Sequence, residues 1–252
     1  MKFFSSEVAH NYGTYTFAYA QYAELESGDR LSEAYTKGYL PYSGSKGVQH
    51  MLYMARSARV DLKNFHLTSE NRRIAKKFDG RFSKERTALA VFDADGEFYT
   101  FCLNYFKNRH GSATMPRERF EHILQSGFIS HIVTYRFEGT VVAYVFEMRE
   151  GDSAHYWFSF YDLSLVQQSL GLWLMLDCIR DAHADGLSYY YLGTVYGEKA
   201  LYKTNFEPLE WWDGKSWQRD IKLLRERGRS DGDRIVHLMD TWKKHEHFFK
   251  SH

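Results

Sequence analysis

The sequence predicts an α/β fold in which a mixed, largely antiparallel sheet is flanked by helices, with an N-terminal α+β subdomain packed against it. From Phe128 onward three apolar strands follow one another, joined by turns at Glu138-Gly139 and Gly151-Asp152. A helix, a fourth strand, a short helix and a hairpin come next. Both faces of these strands are apolar, so helices or aromatic side chains must cover both sides of the sheet. The predicted units are a subdomain at residues 1–127, a core at 128–218 and a mixed-charge helical tail at 219–252.

The N-terminal subdomain is predicted from alternating strand, loop and helix signals. Alternate aromatic residues within 12–22 indicate a strand. The Gly-, Ser- and Tyr-rich stretch 28–47 indicates a loop, and residues 60–65 indicate a short extended segment. The helices predicted in this half are residues 71–78, capped by Thr68 or Ser69, and segments within 84–126, one of which opens at Pro116.

The segment 56–86 is strongly basic. It holds ten Lys or Arg residues against four acidic residues, an excess of six, whereas the whole chain carries a formal charge of +1. Such a segment suits the phosphates of a nucleic acid, because each cation that neutralises a phosphate releases counterions. For a protein of unknown class, a solvated helix face with acidic partners is the alternative interpretation.

The predicted core begins with the strands HIVTYRF, TVVAYVFEM and HYWFSFYD. Residues 169–184 predict a helix, because their apolar residues recur at helical spacing, and Asp185-Gly186 ends it. The strand LSYYYLG and the short helix EKALYKTNF follow. The sequences PLEWW and KSW then flank Asp213-Gly214, a strong hairpin signal.

Composition excludes several classes of protein. A hydrophobic fraction of 44% and a charged fraction of 26% are typical of a globular chain, and the near-neutral charge excludes a uniformly basic coat. Two distant cysteines and scattered histidines give no metal-ligand spacing, so we expect neither a metal nor another cofactor. No apolar run is long enough to span a membrane, so we expect no membrane partner and a reducing cytoplasm. GxSxG, Walker and GxGxxG motifs are absent from the sequence.

The start of the helix at 169–184 carries the first functional motif, Gln168-Ser-Leu-Gly171-Leu-Trp173. A small residue at a helix start lets free backbone N–H groups approach an anion. The motif resembles the Gln/Arg-x-x-Gly-x-Gly/Ala loop on which GNAT-type acyltransferases bind the pyrophosphate of acyl-CoA. Trp173 replaces the last small residue of that loop, and an ordinary helix start is the alternative interpretation.

The second motif is Ala200-Leu-Tyr202-Lys203-Thr-Asn-Phe206. It resembles the GNAT segment in which a tyrosine hydroxyl protonates the leaving group. Transfer of an acyl group to an amine requires an acid for the departing atom, and tyrosine can serve. In a chain with 19 tyrosines, a packed ring is the alternative interpretation. The two motifs follow each other in the order found in GNAT proteins, so the sequence resembles that of a GNAT fold.

A narrower resemblance covers residues 39–217. The sequence is similar to arginyl- and leucyl-tRNA–protein transferases, which move an amino acid from its tRNA to a protein N-terminus. Many members also carry an N-terminal cysteine cluster, but this chain has no cysteine before Cys102. The matching segments are Tyr39-Leu40-Pro41, Ala58 to Asp61, Ser69 to Arg73, Asn108-Arg109-His110, Tyr161-Asp162, Ser169-Leu170-Gly171, Tyr191-Leu192-Gly193, Tyr202-Lys203, Phe206, Pro208 and Glu210.

The resemblance implies an enzyme that transfers an amino acid from aminoacyl-tRNA to an amino group, most readily a protein or peptide N-terminus. Tyr202 is the candidate acid, and Asp162 is expected to orient the amine or to cap a strand end. A backbone amide in 160–162 would polarise the carbonyl. The other candidates are Phe160, Tyr161, Gln168, Ser169, Leu170, Gly171 and Lys203 for donor binding, and Arg59, Arg72, Arg73 and Lys76 for tRNA phosphates.

Three alternatives remain open from the sequence. The donor could be acyl-CoA, although Trp173 disfavours a pyrophosphate loop. The acceptor could be a small molecule or a biosynthetic peptide. The chain could also bind RNA without catalysing transfer.

Overall fold

The computed structural model describes residues 1–11, 16–43, 50–111 and 115–232, with the side chains of 7–11, 16–19 and 166–168 excepted. Within these residues no helix is both long and apolar enough to cross a membrane. The strands are β1 (Lys2–Asn11), β2 (Thr16–Glu24), β3 (Tyr39–Pro41), β4 (Met51–Met54), β5 (Ser57–Asp61), β6 (Ser83–Ala88), β7 (His131–Phe137), β8 (Thr140–Glu150), β9 (Ser153–Tyr161), β10 (Tyr189–Thr194), β11 (Leu209–Trp212) and β12 (Trp217–Gln218). The α-helices are α1 (Leu31–Thr36), α2 (Ser69–Phe78), α3 (Gly96–His110), α4 (Arg117–Gln125), α5 (Leu170–Ala184) and α6 (221–232).

The strands form two sheets. The large sheet has the order β12-β11-β5-β10-β9-β8-β7-β6, and the small sheet has the order β1-β2-β4-β3. Neighbouring strands are antiparallel except β9 and β10, which are parallel and are joined across the sheet by α5. The predicted mixed, largely antiparallel sheet flanked by helices is therefore confirmed.

Helices and the small sheet cover the two faces of the large sheet. On one face, α2 and α5 bury an apolar cluster that includes Phe78, Trp173 and Leu174. On the other face, α3 and α4 pack an aromatic cluster against β8 and β9, and α1 and the small sheet pack beside it. This arrangement explains why the core strands are apolar on both faces.

The predicted boundary at residue 127 does not separate the two sheets. Strand β5 lies in the middle of the large sheet, between β11 and β10, and β6 forms one edge of it. The loop predicted at 28–47 contains α1 and β3. Of the strand predicted at 12–22, residues 16–22 belong to β2, which forms a hairpin with β1, and residues 12–15 lie outside the described residues. In the tail, 221–232 is helical as predicted, and the rest of the prediction lies outside the described residues.

Helix α2 begins where the sequence predicts. The Thr68 hydroxyl accepts a hydrogen bond from the Asn71 amide at 3.1 Å, and the Asn71 side chain accepts one from the Thr68 amide at 3.1 Å. This capping box satisfies two backbone donors at the helix start. The helix buries Asn71, Ile74, Ala75 and Phe78 and leaves its basic residues on the solvent side.

The separation of β9 from β10 creates an opening in the large sheet. Their pairing covers three residue pairs, from Tyr189–Ser153 to Tyr191–His155. Beyond this point β9 continues along β8 as far as Tyr161, while β10 continues along β5. The two parallel strands diverge, and a V-shaped opening lies between them.

Candidate active site

Aromatic hydroxyls line the V-shaped opening. Tyr161 ends β9, and its hydroxyl is hydrogen-bonded to that of Tyr105 on α3. Burial, with a smaller contribution from this hydrogen bond, raises the pKa of Tyr105. The two rings lie 5.0 Å apart between centroids. Tyr156 is buried on β9, and Tyr202 approaches from the 3-10 helix Glu198–Asn205. The site thus brings several tyrosine hydroxyls close to one another.

Tyr202 lies where the sequence predicts. Its ring is 42% exposed, while the neighbouring Phe206 is fully buried and anchors the end of the 3-10 helix. Desolvation of the hydroxyl, with a smaller contribution from Tyr161, raises the pKa of Tyr202 to about 12. At neutral pH the phenol is therefore protonated, as a group that donates a proton must be.

Lys203 turns to the strand side of the same 3-10 helix. Its ammonium group donates to the carbonyl of Thr194 at 2.7 Å, at the end of β10. Desolvation lowers the pKa of Lys203 to about 8. Lys203 therefore brings a poorly solvated positive charge to the edge of the opening.

The start of α5 also borders the opening. Ser169 adopts a left-handed conformation with φ of 69°, and Leu170 is fully buried. A Cβ atom at Gly171 would lie only 2.7 Å from the Tyr161 hydroxyl oxygen. Gly171 therefore makes room for Tyr161, a reason for glycine that the sequence motif does not reveal. Gln168 lies outside the residues whose side chains are described.

Trp173 is a core residue at the first turn of α5. It is 4% exposed, and its indole N–H donates to Asp79 at 2.9 Å. Its ring packs against Phe78 at 5.8 Å between centroids. The large buried ring stands where a pyrophosphate-binding loop would have a small residue.

Asp162 and Phe160 have different surroundings. Phe160 is 1% exposed within the aromatic cluster beneath α3, so it supports the site from the core and does not face a donor. Asp162 is exposed, and its carboxylate accepts a hydrogen bond from the Ser164 amide at 2.9 Å. The Asp162 amide donates to the Val142 carbonyl at 2.9 Å, so it is not free to polarise a substrate carbonyl.

A β-bulge interrupts β9 closer to the opening. The pairing with β8 shifts between Phe158 and Tyr156, which leaves Trp157 without an opposite residue. Bulges re-aim backbone groups and are frequent beside active sites. This makes the backbone at Trp157 a better candidate for carbonyl polarisation than the predicted 160–162.

An open cavity adjoins the V-shaped opening. It has a volume of about 700 Å³ and lies between α3 and the end of β9. Tyr105 and Asn108 line one wall, and Tyr161 and Asp162 line the other. The Arg109-His110 pair ends α3 immediately beyond this wall, with the His110 ring 6.3 Å from that of Tyr105.

Arg59 does not belong to a phosphate-binding surface. It is 7% exposed, its guanidinium pairs with Glu210 at 2.7 Å, and it also donates to the Tyr191 hydroxyl at 3.1 Å. The guanidinium lies between the rings of Tyr189 and Trp217, at 3.8 and 3.9 Å from their centroids. Arg59 therefore connects β5, β10 and β11, and the prediction that it binds tRNA is corrected.

The excess charge of segment 56–86 is partly neutralised by distant acidic residues. Arg56 pairs with Asp231, and Lys84 and Arg86 pair with acidic residues of α5 and β8. Arg73 pairs with Glu70 one turn earlier on α2. The exposed basic residues that remain on or beside α2 are Lys63, Arg72, Arg73, Lys76, Lys77 and Arg81.

Helix α2 places this basic surface next to the opening. The Thr68 hydroxyl at its start donates to the carbonyl of Asn205 in the 3-10 helix that carries Tyr202. At its other end, Phe78 and Asp79 contact Trp173 at the start of α5. The basic face of α2 therefore extends between two elements of the site.

His155 and Tyr105 are site residues that sequence reasoning missed. His155 is 1% exposed, and its Nδ1 atom lies 3.0 Å from the Tyr35 hydroxyl of α1. A histidine within an otherwise apolar strand was the available signal for His155. Tyr105 gave no such signal, because it is one aromatic residue among many in α3.

The described residues contain no group of three or more His, Cys, Asp or Glu residues arranged to hold a metal ion. Both cysteines are buried and free, and burial raises the pKa of the Cys102 thiol. The expectation that no cofactor is needed remains a prediction.

Comparison with known proteins identifies the class first. The family described as acetyltransferase (GNAT) domain matches residues 69–204, which include α2, the diverging strands and all but the last residue of the 3-10 helix of Tyr202. The chain therefore has a GNAT-type transferase domain, as predicted.

Similarity to whole proteins then defines the family. The aspartate/glutamate leucyltransferase of Chromobacterium violaceum is 31% identical over 79% of this chain and 79% of its own length. That of Granulibacter bethesdensis is 28% identical over 68% and 67%, and that of Parvibaculum lavamentivorans is 32% identical over 64% and 68%. This chain belongs to the aspartate/glutamate leucyltransferase family, and the predicted aminoacyltransferase class is confirmed.

Proposed function

We propose that this protein transfers leucine from leucyl-tRNA to the α-amino group of proteins that begin with Asp or Glu. Its relatives are named for leucyl transfer and for these two residues. The observation that carries the proposal for this chain is the opening between β9 and β10, with Tyr161 close enough to the Tyr202 hydroxyl to contribute to the raised pKa of Tyr202. Compared with the sequence-based prediction, this proposal adds the donated amino acid and the class of acceptor.

The reaction requires little chemistry beyond alignment. The neutral α-amine attacks the ester carbonyl of leucyl-tRNA, the new C–N bond forms, and the bond to the ribose oxygen breaks. The amine loses one proton and the ribose oxygen gains one. Positioning of two bound reactants can supply a large part of the barrier reduction. Tyr202, protonated at neutral pH, is the proposed donor to the ribose oxygen, and the proton that the amine loses restores the phenol.

The basic face of α2 is the proposed contact for tRNA. Arg72, Arg73 and Lys76 are exposed on it, and the helix extends from the 3-10 helix of Tyr202 to the start of α5. A tRNA whose acceptor stem lay on this face would have its 3′ end near the opening. Guanidinium groups suit phosphate, because their planar fork donates two parallel hydrogen bonds.

The surroundings of α5 disfavour acyl-CoA as the donor. Binding of pyrophosphate at a helix start requires small residues around free backbone N–H groups. Here the Tyr161 hydroxyl occupies the space over Gly171, and Trp173 is buried in the first turn. Aminoacyl-tRNA requires no such loop.

A transfer assay tests the proposal. The protein is incubated with a pool of aminoacyl-tRNAs, each labelled in turn, and with peptides that differ only in an N-terminal Asp, Glu, Asn or Ala. Labelled acetyl-CoA replaces the tRNA in a parallel reaction. We expect leucine on the Asp and Glu peptides. Transfer of an acetyl group alone, or of leucine only to small amines, would contradict the proposal.

A further inference from the structure

Lys203 is a cation without a counter-charge among the described residues. Its ammonium group donates to the Thr194 carbonyl at 2.7 Å, and it forms no ion pair with an acidic residue in the described part of the chain. Burial alone lowers the pKa of Lys203, with no compensating carboxylate. A poorly solvated charge is unfavourable unless it is paired, so this position favours an incoming anion.

His155 faces the same space with an unsatisfied nitrogen. Its Nδ1 atom is engaged by the Tyr35 hydroxyl at 3.0 Å, whereas Nε2 is buried and has no hydrogen-bond partner among the described residues. A Cβ atom at Gly193 would lie 3.6 Å from His155 Nε2 and 3.7 Å from Lys203 Nζ. The two nitrogens therefore converge on one point, and the absence of a side chain at Gly193 keeps that point open.

This point lies at the base of the V-shaped opening, on the side away from α5. His155 is the last residue of β9 that pairs with β10, so the strands diverge directly beyond it. Its bond to Tyr35 places it on the face covered by α1, while α5 packs on the opposite face. A donor bound at the start of α5 would reach the opening from one face, which leaves the other face for the acceptor.

We propose that Lys203 and His155 form the subsite for the side-chain carboxylate of the acceptor's N-terminal residue. The inference rests on the proposed function and gives Lys203 a role on the acceptor, where the sequence suggested donor binding. The carboxylate would accept from the Lys203 ammonium and from His155 Nε2 as the N–H tautomer. Nδ1 would then accept from the Tyr35 hydroxyl, whose proton would no longer go to the Met148 sulfur. An uncharged Asn or Gln side chain would leave the lysine charge unpaired.

The experiment compares two acceptor peptides that differ only in Asp or Asn at the N-terminus. For the wild-type protein, Lys203→Met and Lys199→Met, kcat/KM for leucyl transfer to each peptide is measured. Lys199 is the matched control, because it lies on the same 3-10 helix and is exposed. We expect Lys203→Met to lower the Asp/Asn ratio about ten- to a hundredfold, the value of a charge-assisted hydrogen bond. The control should leave the ratio unchanged.

An unchanged Asp/Asn ratio in Lys203→Met would overturn the assignment, whether or not both rates fall. If the affinity for leucyl-tRNA also falls while the ratio stays unchanged, Lys203 is a donor-binding residue. If Lys203→Met does not fold, His155→Gln should also lower the ratio, and an unchanged ratio there would be equally contradictory.

Failure of the proposed function gives a different result. In that case the wild-type protein transfers leucine to neither peptide. Calorimetric binding of the two peptides to the wild-type protein without tRNA then tests the subsite alone. Tighter binding of the Asp peptide, lost in Lys203→Met, would support the subsite, and equal binding of both peptides would refute it.

Discussion

Replacing Tyr202 with Phe removes the proposed acid and little else. The Tyr202 ring is 42% exposed, and its hydroxyl has no hydrogen bond to another described residue. The substitution therefore removes no hydrogen bond within the described part of the chain and keeps the packing of the ring against its neighbours. We expect the free energy of unfolding to change by no more than about 0.5 kcal/mol, as for other surface substitutions.

The effect on the rate should be much larger. A positioned acid contributes about a hundredfold to ten-thousandfold, and one polarising donor about a hundredfold to a thousandfold. The ribose oxygen of an ester is a moderate leaving group, so we expect kcat to fall about ten- to a thousandfold. Because Tyr202 would act only in the transition state, the affinity for leucyl-tRNA should not change.

Three measurements on Tyr202→Phe separate its possible roles: the single-turnover transfer rate, the affinity for leucyl-tRNA and the melting temperature. Tyr53→Phe is the matched control, since desolvation also raises the pKa of Tyr53 to about 12 but the residue lies in the small sheet. Full activity of Tyr202→Phe would make Tyr202 a packed ring and refute the reasoning. Weaker donor binding with normal folding would make it a binding residue.

Three further predictions follow from buried charge and from the basic surface. Arg59→Met should lower the free energy of unfolding, measured by denaturant titration, by about 3 kcal/mol. This value is at the low end for a broken buried ion pair, because Glu210 also pairs with Arg219. Replacing Arg72 and Arg73 with Ala should weaken tRNA binding and reduce its salt slope by about one for each phosphate that is no longer neutralised, measured by filter binding. Burial lowers the pKa of His155 from 6.5 to about 3, so only the unfolded chain takes up this proton as the pH falls through that window. As the pH falls from 6.5 to about 3, His155 should therefore lower the free energy of unfolding by on the order of 1.4 kcal/mol per pH unit. His155→Gln should make the free energy of unfolding less dependent on pH in this range.

Each of these predictions has a contradictory result. Near-normal stability of Arg59→Met would mean that the buried pair does not hold β5 to β11. If tRNA binding by the variant with Arg72 and Arg73 replaced by Ala had the same salt slope as the wild-type protein, these α2 residues would not contact tRNA. Equal slopes of stability against pH in His155→Gln and the wild-type protein would mean that the buried imidazole is not held neutral.

The core of the fold was predictable from local sequence signals. Turn residues such as Asp213-Gly214 and helical spacing in α5 are properties of short segments, and the capping role of Thr68 depends on residues three positions apart. The position of β5 was not predictable in this way. A strand's neighbours depend on pairing with distant residues, and β5 pairs with β10 and β11, more than 120 residues later.

The candidate site shows the same limit. Tyr202, Lys203 and Gly171 could be located from the sequence, because they belong to motifs that follow one another in the same order as in the family that the chain resembles. The count of charges in segment 56–86 wrongly assigned Arg59 to the tRNA surface, because its acidic partner Glu210 lies 151 residues away in the sequence. His155 was missed for a related reason, because its unpaired nitrogen becomes visible only when the neighbouring strands are in place.

The central claim is that this chain moves leucine from tRNA to an acidic protein N-terminus. The most direct measurement is mass spectrometry of one peptide with N-terminal Asp after incubation with the protein, leucyl-tRNA and acetyl-CoA together. A matched peptide with a blocked α-amine reports transfer to any other group. We predict that the free peptide gains one leucyl residue at its N-terminus and that the blocked peptide gains nothing. An acetylated peptide, or leucine on the blocked peptide, would contradict the claim.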